Sequence, residues 1–298
     1  MKTFNYFIPC ISMLALFSCK NSNDNYDASG TFEATEVVVS AEANGKIMEL
    51  NLEEGDELKV NQQVGYIDSV QLFLKKKQLA YSIRATESRR PEIKKQIAVY
   101  EQQIATQKIE KARIERLLKA NAANQKQLDD INNQILFLQK QLNATNSSLS
   151  ISNKGITEDA ATLDVQIAQL NDQLQKCKIV NPINGTVLVK YVEQDELATQ
   201  GKPLYTIADI KNMILRAYVS SSQLSQVKIG QQVNVFVDYG KDGSKEYKGK
   251  ITWISSKSEF TPKTIQTKDE RANTVYTVKI AVKNDGYIKI GMYGDVKI

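Results

Sequence analysis

From about Val70 to Lys178, apolar residues recur at helical spacing in a background of Gln, Lys, Glu and Ala, most of them good helix formers. On the second half of this region they fall at strict seven-residue intervals: Leu128, Ile135, Leu142, Leu149, Ile156, Leu163, Leu170 and Cys177. Companions stand at Ile131 and Leu138, then at Ile167 and Leu174, the offset changing from three to four residues partway. That pattern is a coiled-coil seam, with Cys177 as a small seam residue. The first half carries a matching stripe in Leu79, Ile83, Ile93, Ile97, Tyr100, Ile104, Ile114 and Leu118, with polar gaps at Thr86/Arg90 and Gln107/Lys111. Only Ala-Asn-Ala-Ala-Asn, residues 120–124, separates the halves, so two helices of about fifty residues, each roughly 75 Å long, must run antiparallel.

Two weak points interrupt the stripes. Pro91 disfavours helical geometry in the residue before it, and residues 143–155 are rich in Asn and Ser and end on Gly155. Both lie about thirty residues from the turn and hence at one height of the hairpin. The seven-residue phase passes through both, so a paired kink is expected, with separate helical segments as the alternative.

Outside this region the period changes to two. Residues 37–68 and 179–209 each begin with an extended approach to a glycine, Gly45 or Gly185. Each runs through alternating strands to an acidic turn, Glu54-Gly55-Asp56 or Asp195-Glu196, and closes on a strand ending in aspartate. They read as an internal repeat, two halves of one small β-sandwich interrupted by the helices. Residues 210–298 read as short strands between Gly, Asp and Asn turns, with one helical turn near 221–227 and Trp253 in the core of a small β-barrel.

The two half-motifs resemble those of biotinyl/lipoyl-like domains. Their order around a helical hairpin resembles the HlyD-like periplasmic adaptors, also called membrane fusion proteins, from Thr31 onward. The ending Gly291 to Val296, of the Gly-Met-x-x-x-Val kind, is similar to the family's barrel. The resemblance implies an α+β fold: a long antiparallel α-helical hairpin inserted in a split lipoyl-like β-sandwich, followed by a small β-barrel. The expected divisions are a lipoprotein signal peptide at 1–19, a tether at 20–30, lipoyl-like halves at 31–69 and 179–209, a coiled-coil hairpin at 70–178 and the barrel at 210–298. Many members continue into a fourth, membrane-proximal domain; the end at Ile298 resembles the shorter members paired with ABC exporters.

In this family the hairpin tip meets a TolC-like outer-membrane channel through an arginine, a leucine four residues later and a serine seven beyond that. Arg113 and Leu117 match; Asn124 stands where the serine would be, and Leu128-Asp129 also resembles the pattern. Leu117 would supply buried area, Arg113 charge-assisted hydrogen bonds, and Asn124 a cap for the descending helix. The resemblance further implies several copies, typically six, forming a funnel. It implies an inner-membrane transporter as partner, ABC-type favoured over proton-driven.

The N-terminus adds a membrane anchor. Lys2, an apolar run from Ile8 to Phe17 and Leu16-Phe17-Ser18-Cys19 have the layout of a secretory signal ending in a sequence that resembles a bacterial lipobox. Acyl chains on Cys19, each buried methylene adding about 0.8 kcal/mol, would hold the chain on the periplasmic face of a Gram-negative envelope, the inner membrane favoured. No later segment approaches the roughly twenty apolar residues of a span.

Composition narrows the chemistry. The chain has no histidine, and of its 3 cysteines only Cys177 lies outside the signal and lipidation site, so disulfides, Cys-based metal sites and the usual general base are excluded. A formal charge of +5 over 298 residues, dispersed among acids, gives no nucleic-acid footprint. No phosphate-binding loop is present, so a transport cycle must be powered by a partner. A non-enzymatic adaptor without cofactor is expected. A lipoyl-type carrier would need its lysine turn where the helices are inserted. A lipid-anchored coiled coil tethering envelope layers without transport is the remaining alternative.

Overall fold

The computed structural model describes residues 26–240, 243–260 and 274–298; the proposed signal peptide, Cys19 and most of the tether lie outside them. The chain forms two units, one of the residues up to Glu36 with Ala208–Ile298, the other Val37–Ile207. The described elements are β1 (Ala28–Ser40), β2 (Gly45–Leu50), β3 (Glu57–Leu58), β4 (Gln63–Ile67), α1 (Val70–Glu87), α2 (Ile93–Lys119) and α3 (Gln125–Lys176). There follow β5 (Lys178–Val180), β6 (Gly185–Lys190), β7 (Leu197–Ala198), β8 (Pro203–Ser220), β9 (Gln232–Tyr239), β10 (Gly243–Ile254), β11 (Glu259–Phe260), β12 (Thr274–Lys283) and β13 (Tyr293–Lys297), with a 3-10 turn at Leu224–Gln226.

In the first unit the order β12-β10-β9-β13-β1-β8 closes because β8 also pairs antiparallel with β12, from Val275↔Ser220 to Lys283↔Asn212. Closure buries the inward residues of each strand, among them Phe32, Met213, Leu215, Val235, Ile251, Ile280 and Val296. The barrel therefore takes a strand from residues that the sequence assigns to the tether and the first half-motif. Ala28 to Thr31 pair with Val296 to Tyr293, and Phe32 joins the barrel core. Alternation alone says that a strand exists, not which sheet it enters. Trp253 also departs from expectation. A register shift between Ile251 and Trp253 turns the indole out of the core, 43% exposed, with the Lys279 ammonium 5.6 Å from its ring centroid.

One corner of this barrel is held by charge. The Lys245 ammonium pairs with Asp285 and lies 5.7, 5.4 and 5.6 Å from the ring centroids of Tyr239, Tyr247 and Tyr287. The Tyr247 hydroxyl donates to Asp285 Oδ1 at 3.0 Å. Lys245, with the Tyr287 N–H, holds the Asp285 carboxyl down at about 2. An unfolded aspartate titrates at about 3.9, so this stabilisation is fully present above that value and is lost as pH falls through the folded value. Barrel stability, measured from unfolding followed by Trp253 fluorescence, is expected to fall between about pH 4 and pH 2, and Asp285→Asn to flatten that part of the profile.

The second unit confirms the internal repeat bond by bond. Ile47 N–H donates to Glu196 O at 2.9 Å, and Val187 N–H to Asp56 O at 2.9 Å. Ala41 N–H donates to Lys202 O at 2.9 Å, and Asn181 N–H to Gln62 O at 2.9 Å. Asn44 Oδ1 accepts from Gln200 N–H at 2.7 Å, and Asn184 Oδ1 from Val60 N–H at 2.9 Å. The sequence offset within each pair of equivalents is the same throughout. Strands are exchanged too: β3 of the first half pairs with β6 of the second, β7 of the second with β2 of the first. Each half thus completes the other around a shared core that includes Ile47, Ile67, Val187, Leu204 and Ile207. Cys177 caps α3 and packs into this core, one step beyond the helical seam expected for it.

The hairpin departs from the paired kink. The ascending arm is broken between Glu87 and Ile93, whereas α3 runs 52 residues without interruption through Gly155. Pro91 lacks an N–H and constrains Arg90, which ends a helix. A lone helical glycine costs only about 1 kcal/mol, which propagation and packing on α1 and α2 offset. The common height of the two weak points holds: Arg90 Nη1 donates to Asn153 Oδ1 at 3.2 Å and to Thr157 Oγ1 at 3.0 Å. Asn153 is the half-buried polar residue at which the seam changes its offset. Arg90→Ala is expected to cost the hairpin about 1–2 kcal/mol and to speed amide exchange around residues 88–92 and 150–158, with Arg89→Ala as the silent neighbour.

Candidate docking site at the hairpin tip

The tip is built by two complementary end structures. Ala120 caps α2, Asn121 takes a left-handed φ of 49°, Ala122 N–H donates to Leu117 O at 2.9 Å and Asn121 N–H to Leu118 O at 3.0 Å. Those two bonds are the Schellman closure, which satisfies helix-end carbonyls within two residues. Asparagine tolerates the left-handed region better than other side-chain-bearing residues, which explains Asn121.

Two residues later Asn124 starts α3. Its Oδ1 accepts from Gln127 N–H at 3.0 Å, and its own N–H donates to Gln127 Oε1 at 3.2 Å, a full capping box. The expected capping role of Asn124 is therefore present, with Gln127 as its partner. Asn121 and Gln127 did not figure in the sequence-level site. The Asn-x-x-Gln spacing announces the box, and an asparagine set between alanines at a helix end marks Asn121 as the left-handed residue.

Arg113 lies on α2 about two turns below the closure, 64% exposed, its guanidinium 3.6 Å from Glu110. An exposed pair of this kind holds the side chain loosely and leaves donors free. Leu117 is half-buried beside the seam residue Ile114, which is 8% exposed. Leu128 is half-buried on the seam, and Asp129 accepts from Gln125 Nε2 at 3.0 Å. Arg113, Leu117 and Asn124 thus stand along one end of the hairpin as donor, apolar surface and cap. The arrangement offers contact and no reacting group. Among the described residues no cluster of His, Cys, Asp or Glu has the makings of a metal site, and no helix is long and apolar enough to cross a membrane.

The family described as "RND MFP, barrel-sandwich hybrid domain" matches residues 35–209. Among curated relatives, the "UPF0194 membrane protein YbhG" of a Salmonella arizonae strain is 36% identical over 125 residues, 42% of this chain and 37% of the relative. The match therefore spans well under half the length of the curated relatives. Two solved structures share the fold. MacA from Actinobacillus actinomycetemcomitans superposes with a TM-score of 0.57 at 19% identity, over 90% of this chain and 76% of that one. The membrane fusion protein Spr0693 from Streptococcus pneumoniae R6 superposes with a TM-score of 0.53 at 18% identity, over 90% and 96%.

Proposed function

The chain belongs to the membrane fusion protein family, matching its barrel-sandwich hybrid domain, and from that premise we propose that it is the lipid-anchored periplasmic adaptor of a tripartite efflux or secretion system. It joins an inner-membrane transporter to a TolC-like outer-membrane channel and carries out no catalysis of its own. The observation that carries this reading is the hairpin tip: a tightly closed turn with free donors on Arg113, an apolar Leu117 and no reacting group.

Acyl chains on Cys19 anchor the chain to the inner membrane, and several copies, six as is typical of the family, form the conduit. The transporter is proposed as an ABC-type exporter, the expectation carried by the sequence; the matching family's description names RND, and the transporter isolated with this chain decides between them. The test is affinity isolation of the full lipidated chain from envelopes in mild detergent. Co-isolation of an inner-membrane transporter and an outer-membrane channel is expected; recovery of neither contradicts the proposal.

A further inference from the structure

The hairpin has two outer edges that its own packing leaves uncovered, and they complement each other. On α1 the residues turned toward α3, Leu72, Leu79 and Ile83, are half-buried, whereas Val70, Leu74 and Tyr81, half a helical turn away, are 58, 49 and 57% exposed. Leu74 and Tyr81 stand one heptad apart, so α1 carries a second, unused seam. Along it runs an open groove of about 540 Å³ lined by Leu74, Lys77, Gln78, Tyr81, Ser82 and Ala85. The Arg84 guanidinium lies 5.7 Å from the centroid of the Tyr81 ring.

On α3 the residues facing α1 are half-buried or buried, among them Leu163, Ile167 and Leu170. The opposite edge carries Val165, 60% exposed, between the small residues Ala161 and Ala168. Charge divides the same way. Lys77 and Arg84 lie on the α1 edge with Leu74 and Tyr81; Glu158 and Asp172 stand one heptad either side of Val165 on the α3 edge, Asp172 also paired with Lys176 at 2.7 Å.

Height fixes the pairing. Arg90 bonds Asn153 and Thr157 and so lies level with the residues between them. Going back from Arg90, just past the end of α1, to Tyr81 and forward along α3 from that level to Asp164 and Val165 leads away from the tip by about the same distance, because the arms are antiparallel. Copies arranged by rotation about an axis along the hairpins undergo no shift in height, so each residue meets its equal in height on the neighbour.

We infer that the α1 edge of one copy seats against the α3 edge of the next, Val165 entering the groove at Leu74 and Tyr81, and Arg84 facing Glu158. The inference rests on the adaptor reading in requiring a ring, and adds which surfaces close it. The contact is heterologous, as a ring needs, and its charges set register more than affinity.

The test pairs Tyr81→Cys with Val165→Cys in the full lipidated chain, oxidised in intact envelopes. The two positions lie on opposite edges and cannot join within one hairpin, and Cys177, 2% exposed, stays out of the reaction. A ladder of linked chains up to the closed ring is expected, with each single variant giving none. Arg84→Glu is expected to weaken the ladder several-fold, and Glu158→Arg in the same chain to restore it. Dimers from Tyr81→Cys alone, linkage of Tyr81 only to a different protein, or an oligomer in which positions 81 and 165 never join would overturn the edge assignment and leave the adaptor reading standing. A chain that stays monomeric and isolates neither transporter nor channel overturns both.

Discussion

Gly65→Ala is expected to unfold the sandwich unit, at a cost of more than about 3 kcal/mol, although it adds a single methyl group. A Cβ at Gly65 would stand 2.2 Å from Glu49 O, 3.0 Å from Glu49 C and 3.1 Å from Leu50 Cα. All three are backbone atoms of β2, so no side-chain rotation relieves the clash. β4 lies between β2 and β5 in its sheet, and separating it would break pairings on both sides. The equivalent position in the second half is Tyr205, fully buried, its hydroxyl 3.3 Å from Asn181 Oδ1. The repeat thus keeps its backbone bonds while one half brings strands close and the other inserts a ring. Gly155→Ala is the contrasting substitution. Nothing lies within 4 Å of its Cβ position, and it sits inside α3, so it is expected to stabilise by about 0.5–1 kcal/mol. Denaturant unfolding of the two variants beside the parent measures both.

Arg113→Asp combined with Leu117→Ala is expected to abolish capture of an outer-membrane channel while leaving helicity and melting nearly unchanged. The exposed Arg113–Glu110 pair contributes about 1 kcal/mol or less to stability. The Schellman closure uses the Leu117 carbonyl rather than its side chain, so the turn survives truncation. At an interface the same groups count for more: loss of an apolar anchor and reversal of a charge against a fixed partner commonly cost several kcal/mol together. Retained capture in a folded double variant would place the contact elsewhere on the hairpin.

Periodicity made most of this fold legible. The α3 seam, from Leu128 through Leu170, is buried or half-buried at every position named from spacing, and the half-motifs form reciprocal bonds at a constant offset. What escaped depended on energies or partners that spacing does not encode. Pro91 breaks the ascending arm because it removes a donor and constrains its neighbour, whereas Gly155 only lowers propensity inside a well-packed helix. Trp253 turned outward because a bulge shifts strand phase by one residue. The opening residues of β1 joined the barrel through a pairing with β13, more than two hundred residues away, which no local pattern announces. At the tip, Arg113, Leu117 and Asn124 came from a family resemblance, and the capping box with Gln127 supplies the physical reason for one of them.

The measurement that tests the adaptor role most directly is photo-crosslinking in the native envelope from a probe at Ala122, followed by mass spectrometry of what is captured. Ala122 is exposed and lies inside the closed turn, so the probe reports on whatever meets the tip. Capture of an outer-membrane channel, lost when Arg113→Asp and Leu117→Ala are introduced together, is the predicted result. Capture only of this chain itself or of cell-wall material, from a folded hairpin, would contradict the adaptor reading and leave a structural tether between envelope layers.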